Sequence, residues 1–262
     1  MKKITTFTLC ALFLTGIQLS GAELTGRQIA EKVDAANKSE TGIITKGTII
    51  LKDDKTGKTE KRNSIVLAKT VSNNGKSIFR FTSGSQKGTT FLSEERNGKE
   101  NLQYVYLKSV GKARQVESSD KEKNFVDTDL SYESMGGLKI DDYNYKRLPD
   151  ATFKGRDCYV IENLPKRSNS KYSKHIVYTD KEYLIPVATK SYNKAGRLVK
   201  QLMANPATIK TLRKGLYVPT EIIVKDLEEK HSTIVKAILV KETAFPNSVF
   251  NKNQLDSKLP ME

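Results

Sequence analysis

These 262 residues contain no tryptophan, two histidines and two cysteines. Cys10 falls inside an apolar leader, so Cys158 stands alone in the rest of the chain and an intramolecular disulfide is excluded. Neither that lone thiol nor His175 and His231, far apart in sequence, supplies ligand spacing for zinc. The nucleophile elbow G-x-S-x-G is missing, as are glycine-rich phosphate loops, which argues against nucleotide-dependent chemistry and against the usual serine hydrolase arrangement. No cofactor or metal is expected. Long hydrophobic runs are absent too. The longest, Phe7 to Leu19, is too short and too interrupted by Thr and Gln to span a bilayer.

That run carries a different meaning. Lys2 and Lys3 precede it and Ser20-Gly21-Ala22 closes it, the pattern of a secretory signal peptide over residues 1–22 with cleavage before Glu23. The mature chain, 23–262, is expected to be a soluble periplasmic monomer forming one domain. Without disulfides in an oxidising compartment, it must be stabilised by its core, which a β-rich chain of this length can build. Cys158, in the run Cys158-Tyr159-Val160-Ile161, reads as a buried small hydrophobe.

Acidic residues are also scarce: 30 Asp and Glu stand against 45 Lys and Arg, a net charge of +15 that falls to +13 once Lys2 and Lys3 leave. Such an excess points to an anionic partner. Export argues against nucleic acid, leaving anionic lipid head groups in transient membrane contact, or an acidic protein surface. The charge is uneven along the chain. Glu117 to Asp142 holds eight acids against Lys121, Lys123 and Lys139, whereas Tyr183 to Thr220 holds seven Lys or Arg and no acid. The acidic stretch is expected to lean over the sheet near the basic hairpin.

Thr25-Gly26-Arg27-Gln28 has capping-box spacing, and Ile29, Val33 and Ala36 follow on one face, predicting a helix over about 24–38. From Ile43 the period becomes two. Strands are expected near 42–52, 61–70, 77–83, 88–94, 101–108, 112–117, 143–148, 156–164, 171–179, 185–193, 197–204, 216–225 and 231–241, with turn signals at hairpin spacing. A large curved antiparallel sheet or barrel follows. Ser118 to Met135 lacks strand alternation and is expected as a helical or irregular insertion. A short second helix is expected after Pro246, with Val249, Phe250 and Leu255 packing inward.

Several ordered strings then converge. They are Lys87-Gly88-Thr89-Thr90-Phe91-Leu92-Ser93, Tyr104-Val105-Tyr106-Leu107 through Gly111-Lys112-Ala113-Arg114, Ser118-Ser119-Asp120-Lys121, Asp129-Leu130-Ser131-Tyr132-Glu133-Ser134-Met135, and Cys158-Tyr159-Val160-Ile161-Glu162. Together they resemble the LolA-like outer membrane lipoprotein-sorting protein family, over nearly the whole mature chain. The resemblance implies a mainly β fold with a few helices, a half-open antiparallel β-barrel whose helices cover an apolar cavity. It also implies a periplasmic carrier of lipid or lipoprotein acyl chains toward the outer membrane, with an inner-membrane lipid exporter as a partner of some members. Lys108 and Ser109 depart from the family's Pro-Ala-like pair, and tryptophan is missing, so partner docking is expected to differ.

For such a carrier the sheet-lining candidates are Ile49, Leu51, Phe79, Phe81, Phe91, Tyr104, Tyr106 and Tyr159. Lid candidates are Ile29 and Val33 from the first helix and Phe125, Leu130, Tyr132 and Met135 from the insertion. Each of these is equally consistent with ordinary core. Arg80, Lys190, Lys194, Arg197 and Lys200 are candidate head-group contacts, against the plainer reading of solvated surface. Arg114 is a candidate tie between sheet and lid through Asp120 or Asp129. The rival reading is an exported lipid hydrolase using Ser173, His175 and Asp180, since alternation sets Ser173 and His175 on one face. A third is a non-catalytic protein-docking module. His231, in a charged turn, is expected at the surface.

Overall fold

The computed structural model describes residues 23–137 and 139–262, so the expected signal peptide lies outside the described residues. Helix α1, Gly26–Ala36, begins where the capping box predicts. Thr25 Oγ1 accepts the Gln28 amide at 3.2 Å and Gln28 Oε1 accepts the Thr25 amide at 2.8 Å, satisfying two otherwise orphaned donors.

Six strands follow as an antiparallel meander: β1 (Ile43–Asp53), β2 (Thr59–Val71), β3 (Asn74–Phe81), β4 (Thr90–Glu94), β5 (Leu102–Leu107) and β6 (Lys112–Gln115). A long connection, 116–142, carries the one-turn helix α2 (Tyr132–Met135). A second run comprises β7 (Tyr143–Phe153), β8 (Arg156–Pro165), β9 (Tyr172–Asp180), β10 (Pro186–Asn193) and β11 (Leu198–Ala204). The hairpin β12 (Ile209–Arg213) and β13 (Leu216–Pro219) precedes β14 (Glu221–Asp226) and β15 (His231–Glu242). Thirteen strands form one sheet in the order β6-β5-β4-β3-β2-β1-β15-β14-β11-β10-β9-β8-β7. Pairing of β1 with β15 joins the two runs, while β6 and β7 remain edges, so the sheet is open.

Two expectations change here. The single strand expected at 216–225 is two, because Pro219 lacks the N–H a continuing ladder needs. Accordingly β13 pairs with β12 while β14 pairs with β11 and β15. Residues 209–213 form a strand that was not expected. A bulge between Lys46 and Gly47 shifts the β1–β15 register, and a Cβ on Gly47 would come within 2.4 Å of the Lys236 carbonyl oxygen, so only glycine allows this approach.

Residues opposite one another share a face of the sheet. The register therefore traces one row from Leu51 through Thr233, Val224, Leu202, Thr189, Val177 and Ile161 to Arg147. This face receives the 116–142 connection over β1–β5, where Val116, Phe125 and Tyr132 join Ile49, Leu51, Phe79, Phe81, Phe91 and Val105. It also receives α1 over β7–β9, where Ile29 meets Ile161 and Val177. We call it the connection face.

The opposite face of β1–β4 presents Ile44, Ile65, Leu67, Ile78 and Leu92, and the C-terminal tail covers them with Phe245, Phe250, Leu255 and Leu259. The helix expected after Pro246 is instead two 3-10 turns, Asn247–Val249 and Lys252–Gln254, the second capped by the Asn251 side chain. Phe250 and Leu255 pack inward as expected, and Val249 packs against them.

Candidate functional site

Period two in β3 and β4 sends Phe79, Phe81 and Phe91 to the connection face. Phe125 enters among them from above. Its ring stacks on Phe81 (5.8 Å, 6° between planes), meets Phe79 edge-on (5.5 Å, 87°) and touches Tyr132 (5.7 Å), while Tyr132 leans on Phe91 (5.8 Å). The turn after Phe125 runs through positive φ at Val126 (35°) and Asp127 (61°), a costly conformation for a β-branched residue. Arg62 holds it. Its side chain is 2% exposed, and it donates to the Val126 carbonyl and to Asp127 Oδ2, each at 3.1 Å, with Glu60 at 2.8 Å behind it. The Arg62 guanidinium in turn holds the Glu60 carboxyl down at about 2.

Next to the largely apolar row named above lies a polar one. The register places Asp53, His231, Asp226, Lys200, Ser191, His175, Asn163 and Tyr145 opposite one another across eight strands. The connection is tied to this row. Lys200 Nζ donates to Asn124 Oδ1 (2.8 Å) and the Asp129 carbonyl (3.0 Å), and burial pushes its ammonium pKa down. Asp129, 2% exposed, accepts from the Thr233 hydroxyl at 2.7 Å and lies 2.8 Å from His231 Nδ1. Further along, Arg167 in the β8–β9 loop donates to Glu122 (3.0 Å) and Glu133 (2.9 Å), and Gln103 donates to the Tyr132 carbonyl (3.0 Å).

The residues singled out from sequence divide accordingly. Ile49, Leu51, Phe79, Phe81, Phe91, Phe125, Tyr132 and Met135 come together on the connection face, as do Ile29, Val33 and Tyr159 farther along it. Leu130 contributes its carbonyl to the turn, accepting from the Phe125 amide. Tyr104 and Tyr106 do not join them. Alternation with Val105 turns both toward the tail, where they pack on the other cluster. Arg80 lies on that side as well, and instead of facing a head group it is buried beneath the tail. It donates to the Leu255 carbonyl (2.7 Å), the Ser257 carbonyl (2.8 Å), Glu262 (2.6 Å) and Thr90 (2.9 Å).

Lys190 lies over the Tyr178 ring, and Lys194 and Arg197 are exposed at the β10–β11 turn, where Arg197 is 3.6 Å from Glu228. Arg114 lies exposed on β6 and is paired with neither acid. Asp120 pairs with Lys123 and Asp129 with His231. The acidic stretch reaches the basic hairpin at Lys200, through the Asn124 side chain and the Asp129 carbonyl rather than through an acid side chain. His231 is half-buried rather than at the surface.

The hydrolase constellation does not assemble. Ser173 Oγ donates to the Asn193 carbonyl (2.7 Å), and His175 Nδ1 shares its hydrogen bond with Ser191 (2.8 Å) instead. Asp180 is engaged by Arg156 at 2.6 Å and by the Glu182 and Tyr183 amides. Among the described residues no carboxylate hydrogen-bonds the histidine, whose burial pushes it down to about 4. Cys158 is buried, and burial pushes its thiol up to about 11, away from reactivity.

A cavity of about 350 Å³ opens between Asp34 of α1 and its C-cap Asn37, Ala68, Thr70 and Ser77 of the sheet, and Ser134 and Met135 of α2. Its lining residues are mostly of polar type, but apolar atoms contribute the larger part of its surface. The apolar side chains of the connection face are packed on one another beside it.

Sequence reasoning missed Arg62, Thr233, Arg167 and Gln103. Arg62 and Gln103 left a readable trace, since they keep parity with Val66 in β2 and Val105 in β5 on the connection face; Thr233 and Arg167 needed the register and the loop.

Comparison with solved structures places this architecture. A putative outer membrane lipoprotein-sorting protein domain from Vibrio parahaemolyticus superposes with a TM-score of 0.81 at 24% identity, covering 88% of this chain and 98% of that one. A DUF1329 family protein from Desulfovibrio piger gives 0.79 at 22% identity, covering 88% and 97%. A LolA superfamily protein from Nitrosomonas europaea gives 0.67 at 19%, covering 88% and 99%. The protein thus has the LolA-like fold that its motifs resemble. The profile of a family described as "-like: Uncharacterized protein" matches residues 73–257, and the chain belongs to that family. Among curated proteins none matches the sequence. Among the described residues no helix is long and apolar enough to cross a membrane.

Proposed function

We propose that residues 23–262 form one periplasmic lipid-binding unit, monomeric and without cofactor, that shelters the acyl chains of a lipid or lipoprotein and carries them toward the outer membrane. One observation supports this above the rest: Phe125 and Tyr132, delivered by a long irregular connection rather than by the sheet, are inserted among Phe79, Phe81 and Phe91. An aromatic plug on a separable segment is what a carrier needs when empty, because an unfilled apolar cavity is costly. Burying an acyl chain contributes about 0.8 kcal/mol per methylene, so one long chain offers roughly 10 kcal/mol to displace the plug. The connection and α1 are then lids on the half-open sheet, and a membrane lipid exporter supplies the cargo. The positive charge keeps the loaded protein near anionic membranes.

Mass spectrometry of organic extracts from the natively purified protein, with a phospholipid-turnover assay on the same sample, tests this reading. Stoichiometric intact lipid without turnover is expected. Lysophospholipid and fatty acid production that disappears in Ser173→Ala or His175→Ala would replace the carrier with a hydrolase. An empty, inert protein would favour a docking module.

A further inference from the structure

The contacts between the sheet and the 116–142 connection are sorted by polarity. From the sheet and its loops come cations and donors: Arg62, Lys200, Arg167, the Gln103 amide and the Thr233 hydroxyl. From the connection come the Asp127, Asp129, Glu122 and Glu133 carboxylates and the carbonyls of Val126, Asp129 and Tyr132. Some contacts run the other way. The Asp129 amide donates back to Thr233 at 2.8 Å, the Val116 amide donates to the Gln103 carbonyl, and at the β4–β5 turn Lys121 and Ser118 donate to Glu100 and Lys139 to the Lys99 carbonyl. Elsewhere the connection presents acceptors, several of them carboxylates, to donors of the sheet and its loops.

That sorting bears on what could replace the connection. If the plug left and a neutral chain took its place, Arg62 would keep Glu60 and Lys200 would keep Asp226 at 3.7 Å, but Lys200 Nζ would lose its acceptors on Asn124 and Asp129 and the Thr233 hydroxyl would lose the Asp129 carboxylate, and buried donors left without acceptors are costly. A ligand that brings its own anion avoids this. The layout matches such a molecule, since the aromatic cluster around Phe125 adjoins the polar row holding Lys200.

Building on the carrier reading, we propose that the cargo is an anionic amphiphile. Its phosphate or carboxylate takes the place of the Asp129 carboxylate against Thr233 and His231 and of the Asp129 carbonyl and Asn124 against Lys200, and its acyl chain takes the place of Phe125 and Tyr132. The connection is then a surrogate for the cargo, an acid and two aromatic rings occupying the positions of a head group and a chain.

The test is calorimetric titration of the natively purified, delipidated protein with lysophosphatidic acid, with monoacylglycerol of the same chain length, and with inorganic phosphate. Lysophosphatidic acid is expected to bind at least about tenfold tighter than monoacylglycerol, the margin of one retained charge-assisted contact. Lys200→Gln should reduce that preference to about twofold or less. Equal affinity for the two lipids overturns the anionic assignment and leaves the carrier reading standing, whereas binding of neither lipid removes the carrier reading itself. Inorganic phosphate that binds as tightly as the lipid would make this a free-anion site and overturn the amphiphile. Asp129→Asn provides a second check that leaves the sheet's cations in place. It removes the competing anion, so lysophosphatidic acid should bind several-fold tighter, and an unchanged affinity would show that Asp129 does not occupy the head-group position.

Discussion

Phe125 carries more of the closed arrangement than any other side chain of the connection. It is fully buried, touches Phe79, Phe81, Phe91 and Tyr132, and its following turn is held in a strained conformation by Arg62. Phe125→Ala leaves a ring-sized hole and should cost about 3–5 kcal/mol if the connection unfolds with the sheet. If the connection opens separately, global stability falls by less, and protection of its amides from hydrogen exchange falls instead. Urea unfolding and exchange on one sample distinguish the two, and either pattern should come with tighter binding of a fluorescent fatty acid. Unchanged stability, exchange and binding would mean that the ring does not hold the segment down.

Among the elements, the C-terminal tail has a different task from the connection. Four apolar side chains of the tail cover five from β1–β4, and Arg80 accepts no freedom beneath them, with each of its donors placed on Thr90, Glu262 or a tail carbonyl. Removing 244–262 would expose Ile44, Ile65, Leu67, Ile78 and Leu92 together and leave a buried arginine without its partners. The truncated chain should aggregate or unfold at much lower urea concentration than the full chain, since each large apolar side chain contributes roughly 1.5–3 kcal/mol when buried. A tail that served only as a removable cover would leave the midpoint almost unmoved.

For the molecule as a whole, buried histidine makes folding sensitive to acid. His175 is held neutral among Tyr143, Tyr172 and Ser191, at about 4 against an ordinary 6.5. The unfolded chain therefore binds a proton that the folded one refuses. Stability from this group is complete above about pH 6.5 and is lost as pH falls toward 4, by roughly 1–3 kcal/mol. Glu60, held down by Arg62, acts in the same direction but lower, between 4.5 and about 2, and its exposure weakens the effect. Thermal unfolding followed from pH 7.5 to pH 4 should show the decline, flattened in His175→Gln; a flat profile in the native sequence would show that His175 takes up its proton without unfolding.

Much of this architecture was legible in one dimension. The capping box at Thr25 placed α1, period-two alternation found nearly every strand, and the loss of that period at Ser118 marked the connection, because these signals are local and depend on backbone geometry alone. Family-like strings added the LolA-like fold. The face on which a residue falls is also local, so Phe79, Phe81 and Phe91 could be grouped before their partners were known. The assignment of Tyr104, Tyr106 and Arg80 failed for a different reason: alternation says that two faces exist, but not that the distant tail will cover one of them. Likewise His175 sits near Ser173 in sequence, yet hydrogen-bonds Ser191 across the ladder. The sequence determined the elements, the two faces and the opposite charges of connection and hairpin. Only the tertiary structure decided which face each segment covers and which acid meets which base, since those contacts join residues a hundred positions apart through the register of intervening strands.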